Sequence, residues 1–162
     1  MKKRIKTIAI FCNGEKIRKS VFSKYAAKID FIICADGGAD KVMHLSIVPD
    51  VITGDMDSIS KNALKTFSKS KKVLKDDQNS TDLERALCFA KKLKPLKILI
   101  FGGMGDRIDH TLTNLNMLKK FQTAANIEFI TNRAKLFLTN KPVELNEKPG
   151  TVISLIPHGL VK

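Results

Sequence analysis

Tryptophan is absent from this 162-residue chain and tyrosine occurs once. A surface that stacks bases on aromatic rings is therefore not expected, despite a formal charge of +13. The lysines are dispersed, with Lys16, Lys19, Lys24, Lys28, Lys61, Lys65, Lys91 and Lys94 on predicted helix faces and loops, which reads as a solvated surface rather than a nucleic-acid groove. Long apolar runs are missing too, and none approaches the ~20 residues of a membrane span. The basic start Met1-Lys2-Lys3-Arg4 leads into only a short apolar run before Asn13-Gly14-Glu15, too brief for a signal-peptide core. Cysteine is scarce and odd in number. Cys12, Cys34 and Cys88 lie far apart in apolar surroundings with no Cys-x-x-Cys pair, so they read as buried thiols of a reducing compartment, and the cytoplasm is the expected location.

Acid is the scarce charge, and its placement is informative. Eleven of the 16 acidic residues fall between Asp36 and Asp109, and ten of those eleven are Asp. Short, stiff Asp suits metal ligation and helix starts, whereas a merely solvated surface would use Glu as readily.

The 43% hydrophobic content can fill the core of one domain or slightly more. Ile8-Ala9-Ile10-Phe11-Cys12, Phe31-Ile32-Ile33-Cys34-Ala35, Val51-Ile52-Thr53 and Ile98-Leu99-Ile100-Phe101 are continuous apolar runs, the look of strands buried on both faces of a parallel sheet. Lys72-Val73-Leu74 is a weaker strand. Between them, helical spacing is predicted over residues 16–28 through Ile17, Val21, Phe22 and Tyr25, and after Ser58 or Ser60 through Ala63, Leu64 and Phe67. A stronger helix carries Leu83, Ala86, Leu87, Ala90 and Leu93 behind a Thr81-Asp82-Leu83-Glu84 capping box and stops at Pro95; another presents Leu112, Leu115 and Leu118. From residue 126 the pattern changes to short extended pieces, Glu128-Phe129-Ile130-Thr131, Lys135-Leu136-Phe137-Leu138 and residues 151–156, separated by turn signals. The predicted fold class is α/β: an open, mostly parallel sheet with helices on both faces over residues 1–125, followed by a short antiparallel β domain over residues 126–162.

Each acidic or glycine cluster follows a predicted strand: Asp36-Gly37-Gly38, Gly54-Asp55-Met56-Asp57, Asp77-Gln78 through Asp82, and residues 102–109. In an open parallel sheet, ligands bind beyond the carboxyl ends of the strands, so these clusters share one rim. Asp55 and Asp57, if extended, put both side chains on one face with Cα atoms about 6.5–7 Å apart, within reach of one hard divalent cation such as Mg²⁺. A plain turn is the other reading of Gly, Asp and Ser at that point. Gly102-Gly103-Met104-Gly105, opening a helix directly after a buried strand, suits an anion through backbone N–H groups and the helix dipole. It is neither a P-loop nor a dinucleotide fingerprint. Arg107 offers a fork of donors for phosphate oxygens, or is a surface arginine. Asp109 and Thr81 each read equally as helix caps, Asp82 as a dipole partner in a first turn, and His110 as a hydrogen-bonded core residue.

Asp36-Gly37-Gly38-Ala39, Pro49-Asp50 with Gly54-Asp55-Met56-Asp57-Ser58, Asp77-Gln78-Asn79-Ser80-Thr81-Asp82-Leu83 and Gly105-Asp106-Arg107-Ile108-Asp109-His110-Thr111-Leu112, in this order, resemble the thiamine pyrophosphokinases. Asn13-Gly14 is similar to that family's first strand end. The resemblance implies an α/β catalytic domain and a β-sandwich domain, a homodimer binding thiamine between subunits, and transfer of the terminal diphosphate of ATP to the thiamine hydroxyl with release of AMP. It further implies that Asp55, Asp57 and Asp82 are the Mg²⁺ and phosphate-handling carboxylates, with Asp36 and Asp109 nearby. Gln78 and Thr81 would contact substrate or nucleotide, and Arg107 the ATP phosphates, beside the Gly102, Gly103, Gly105 loop and His110. Two departures stand out. Asp106 places an acid where the family has a small or basic residue, and residues 126–162 supply only part of the family's β-domain. The competing expectation is a catalytically silent nucleotide- or RNA-binding α/β module, with steeply salt-dependent RNA binding as its mark.

Overall fold

The computed structural model describes residues 4–74, 79–105 and 107–157. Among the described residues, seven strands form one sheet in the order β4-β3-β2-β1-β5-β6-β7. They are β1 (Thr7–Phe11), β2 (Phe31–Ala35), β3 (Val51–Gly54), β4 (Lys71–Leu74), β5 (Lys97–Phe101), β6 (Asn126–Ile130) and β7 (Lys135–Phe137). The first six are parallel, and only β7 runs antiparallel to its neighbour β6. Continuous apolar runs become strands here because both faces are covered. Ile8, Ile10, Ile33, Ile98 and Ile100 pack beneath α4 (Asp82–Lys92) and α5 (Ile108–Lys120); Ala9, Phe11, Cys34, Ile52 and Phe101 pack on the other face, toward α1 (Lys19–Ala26), α2 (Gly38–Val42) and α3 (Lys61–Thr66). Phe11 and Phe101 stack across the β1–β5 pair with ring centroids 4.9 Å apart.

The order of strands reverses between β1 and β5, and this places the crevice. β1 feeds β2, β3 and β4 on one side, and the chain then returns through α4 to β5 on the other. Past their ends the two central strands stay joined: Cys12 N–H donates to Phe101 O, Gly14 N–H to Gly102 O at 2.9 Å, and Glu15 N–H to Met104 O at 2.7 Å. That contact explains why residue 14 is glycine, since a Cβ there would lie 2.4 Å from Met104 O. Gly38, in the short α2, is tighter still, with a Cβ position 2.1 Å from Phe11 O. Gly38→Ala is therefore expected to cost about 2–4 kcal/mol of stability, checked by urea unfolding.

Several elements differ from the sequence reading. The first helix is shorter than residues 16–28, and Ile17 is buried from the loop preceding it. β6, placed by its pattern in an antiparallel tail, instead pairs in parallel with β5, because Ile127, Phe129 and Ile130 complete the core already begun by Ile98 and Ile100. Residues 151–156 form no strand, and Val152 and Leu155 are almost fully exposed. In α5 the buried positions are Met117 and Leu118; Leu112 is 58% exposed, because the N-terminal turns of this helix bury no side chain of their own.

Candidate active site

Four strand ends and two helix starts line a cleft of about 1220 Å³ at the carboxyl edge of the sheet, with Asn13, Asp36, Asp55, Asp57, Asp82 and Arg107 among its walls. Asp36 closes β2 in a left-handed backbone conformation (φ 43°) and is 2% exposed. Its Oδ1 has no hydrogen-bond partner. Burial pushes its carboxyl above the usual range; the nearby Ser58 hydroxyl and the Gly37 backbone oppose the rise, and the charges of Asp57 and Asp55 add to it. One carboxylate oxygen each from Asp36, Asp55 and Asp57 lies within 4.8 Å of the others.

The Asp pair reaches this arrangement through a turn rather than an extended strand. β3 ends at Gly54 (φ 141°), and Met56 between the aspartates takes φ 70°, a strained setting for a non-glycine residue. Both sequence readings of this stretch thus hold together: it is a turn, and it converges two carboxylates. The Ser58 hydroxyl donates to Asp57 Oδ1 at 2.8 Å and is the main cause holding that carboxyl below its usual range. Ser60, not Ser58, caps α3, accepting from Ala63 N–H at 3.1 Å.

Asp82 occupies the first turn of α4 and is not part of the three-carboxylate group. It pairs instead with Arg85, a residue not expected at the site from the sequence: the Arg85 Nη1 donates to Asp82 Oδ1 at 2.9 Å and lies 3.9 Å from Asp55 Oδ2. An Asp-x-x-Arg spacing on a predicted helix was the available signal. Burial raises the Asp82 carboxyl, the Asp36 charge adds to the rise, and Arg85 counters it. Thr81 caps α4 by accepting from Glu84 N–H at 3.2 Å, while the Glu84 carboxylate, expected to complete a capping box, pairs with Lys120 at 2.5 Å.

The Gly102-to-Gly105 loop also faces the cleft. Asn114 Nδ2 donates to Gly103 O at 2.7 Å, so with the Gly14 and Glu15 contacts three consecutive loop carbonyls have protein partners. Arg107 stands at the N-cap position of α5, exposed, paired with Asp109 at 2.5 Å; that contact holds the Asp109 carboxyl down to about 2. Asp109 therefore sits in the first turn without capping it. His110 lines the cleft with its side chain 63% exposed, not in the core. Cys12, also on the cleft wall, is pushed up to about 12 by burial first and by Asp82 second, so it is an inert thiol. Asp77, Gln78 and Asp106 lie outside the described residues.

A doubly wound α/β sheet with its polar cleft at the switch point defines the class: a domain that takes its ligands beyond the carboxyl ends of the strands. Residues 22–131 match the family model described as thiamin pyrophosphokinase, catalytic domain. The chain belongs to the thiamin pyrophosphokinase family. It is similar to thiamine pyrophosphokinase 1 of Oryza sativa subsp. japonica, 32% identical over 133 residues, which are 67% of this chain and 50% of that protein. It is equally similar to thiamine pyrophosphokinase of Bacillus subtilis (strain 168), 32% identical over 119 residues covering 72% of this chain and 56% of the relative. The crystal structure of the Bacillus subtilis enzyme superposes with a TM-score of 0.64 at 32% identity, over 77% of this chain and 60% of that one. Thiamin pyrophosphokinase from Candida albicans shares the fold, with a TM-score of 0.71 at 22% identity. The chain spans about half the length of the curated relatives it matches.

Proposed function

We propose that this chain carries out Mg²⁺-dependent transfer of the terminal diphosphate of ATP to the hydroxyl of thiamine, giving thiamine diphosphate and AMP. The observation that carries the reading is the convergence of Asp36, Asp55 and Asp57, after β2 and β3, on the wall of the cleft at the carboxyl edge of a sheet belonging to this family. A divalent cation fits these residues. The donors are all carboxylate oxygens, and the buried Asp36 oxygen without a partner is the kind of atom such an ion satisfies. Asp55 and Asp57 would hold it, with Asp36 and Asp82 flanking, and when bound it would neutralise charge on the polyphosphate.

The protein's own work is positioning and charge management, with little covalent chemistry. Arg107, beside the glycine loop, would meet the phosphate oxygens of ATP with its guanidinium fork, exchanging its exposed contact with Asp109. Thr81 at the start of α4 and His110 in the first turn of α5, both lining the cleft, would contact the substrates. The thiamine hydroxyl oxygen bonds to the β-phosphorus, the bond from that phosphorus to the α–β bridging oxygen breaks, its electron pair leaves with AMP, and the hydroxyl proton passes to solvent. Exposed apolar side chains at Ile108, Leu112, Val152, Leu155 and Ile156 support a homodimer. Among the described residues no helix is long and apolar enough to cross a membrane.

Incubation with thiamine, ATP and Mg²⁺, with nucleotides resolved by ion-exchange chromatography, tests the reaction class. AMP and thiamine diphosphate in equal amounts are expected. ADP as product would mean single-phosphoryl transfer and overturn the reading, and no turnover with salt-steep RNA binding would favour a binding module.

A further inference from the structure

Arg85 lies on the first turns of α4 with its side chain only 9% exposed. A guanidinium does not lose its charge, so burial here demands compensation from fixed partners. Ser80 supplies two: Nε donates to Ser80 Oγ at 3.3 Å and Nη2 to the Ser80 carbonyl at 2.9 Å. These set the plane of the fork. Nη1 then donates to Asp82 Oδ1 at 2.9 Å and comes within 3.9 Å of Asp55 Oδ2. One immobile positive charge therefore stands between a carboxylate of the three-aspartate group and the carboxylate left outside it. Across the same group, Asp36 Oδ1 is buried and has no partner, so the arginine satisfies one side of the cluster and not the other.

We propose that Arg85 is a placeholder cation: it neutralises Asp82 and Asp55 until a divalent cation arrives, and that cation has to compete with it for them. Arg85 is thus a positioning residue with a second effect. It fixes Asp82 at the cleft wall, and it weakens the capture of free metal, so that tight loading depends on the additional charge of a polyphosphate. A guanidinium that only ordered Asp82 would strengthen metal binding; a competing one weakens it. The inference rests on the cation-dependent reading of this site, but it concerns metal binding with neither substrate present, and so can fail while AMP release stands.

The test is titration of the protein with Mn²⁺ alone, following free Mn²⁺ by its electron paramagnetic resonance, for wild type, Arg85→Gln and Arg85→Lys. Loss of a unit charge a few ångströms from a divalent ion gives about a tenfold tighter Kd in Arg85→Gln. Arg85→Lys, retaining the charge, stays close to wild type. Equal or weaker binding by Arg85→Gln would overturn the proposal, as would no Mn²⁺ binding by either wild type or variant. Should Arg85→Gln not fold, the wild-type protein gives the answer by nuclear magnetic resonance: saturating Mg²⁺ is expected to shift the Arg85 Nε–Hε signal, and an unmoved signal contradicts competition.

Discussion

Asp57→Asn is expected to lower diphosphate transfer about a thousandfold while leaving the unfolding free energy within about 0.5 kcal/mol of wild type. The two effects separate because of where the side chain sits. Asp57 is exposed at a turn, and its hydrogen bond from Ser58 survives in an amide, so little of the fold depends on its charge. Its place within 4.8 Å of Asp36 and Asp55 oxygens, however, makes that charge a large share of what a metal–nucleotide complex would meet. Rate of AMP formation and a thermal melt on the same preparation check both halves. Unchanged turnover would remove Asp57 from the chemistry, and a collapsed melt would make the residue structural.

Asp36→Asn is expected to stop turnover as well, yet to raise the stability of the protein at pH 7 when no divalent cation is present. Burial raises the Asp36 carboxyl above its ordinary value of 3.8, so at neutral pH the fold holds an anion it would rather protonate. Such a group favours the fold fully below the unfolded value and loses that contribution as pH rises through its folded value. The gain from the amide is therefore complete at neutral pH and vanishes as pH falls toward 3.8. Asparagine also tolerates the φ of 43° found here. Mg²⁺ narrows the difference: by mass action it stabilises wild type more than the variant, which keeps Asp55 and Asp57 but lacks the third carboxylate of the group. Melting temperatures over pH 4–8, with and without Mg²⁺, are the measurement, and a variant less stable than wild type at neutral pH without Mg²⁺ would show that the charge is not under strain.

The central strands of the sheet were legible in the sequence because they are buried on both faces, and uninterrupted runs such as Ile8-Ala9-Ile10-Phe11 have no other economical use. The placement of clusters after strands was legible for the same reason: parallel strands deliver their following loops to one rim. Side-chain pattern said less about direction. Ile127, Phe129 and Ile130 fit a parallel strand or a hairpin equally well, and only pairing with β5 decided it. Short α2 carries too few residues to show a helical period. Met56 at φ 70° could not be read, because nothing in the residue requires that conformation and the turn imposes it. Arg85 was hidden by habit: an arginine on a helix ordinarily points to water, and its burial follows from Asp82, Asp55 and Ser80 meeting around it.

Diffraction from crystals grown with Mn²⁺ and α,β-methylene-ATP, which cannot be cleaved between its first two phosphates, tests the shared rim most directly. The account predicts an anomalous Mn²⁺ peak in ligand contact with carboxylate oxygens of Asp55 and Asp57, and the triphosphate lying between that ion and the loop of Gly102, Gly103 and Gly105. Metal and triphosphate bound together away from those carboxylates would contradict it.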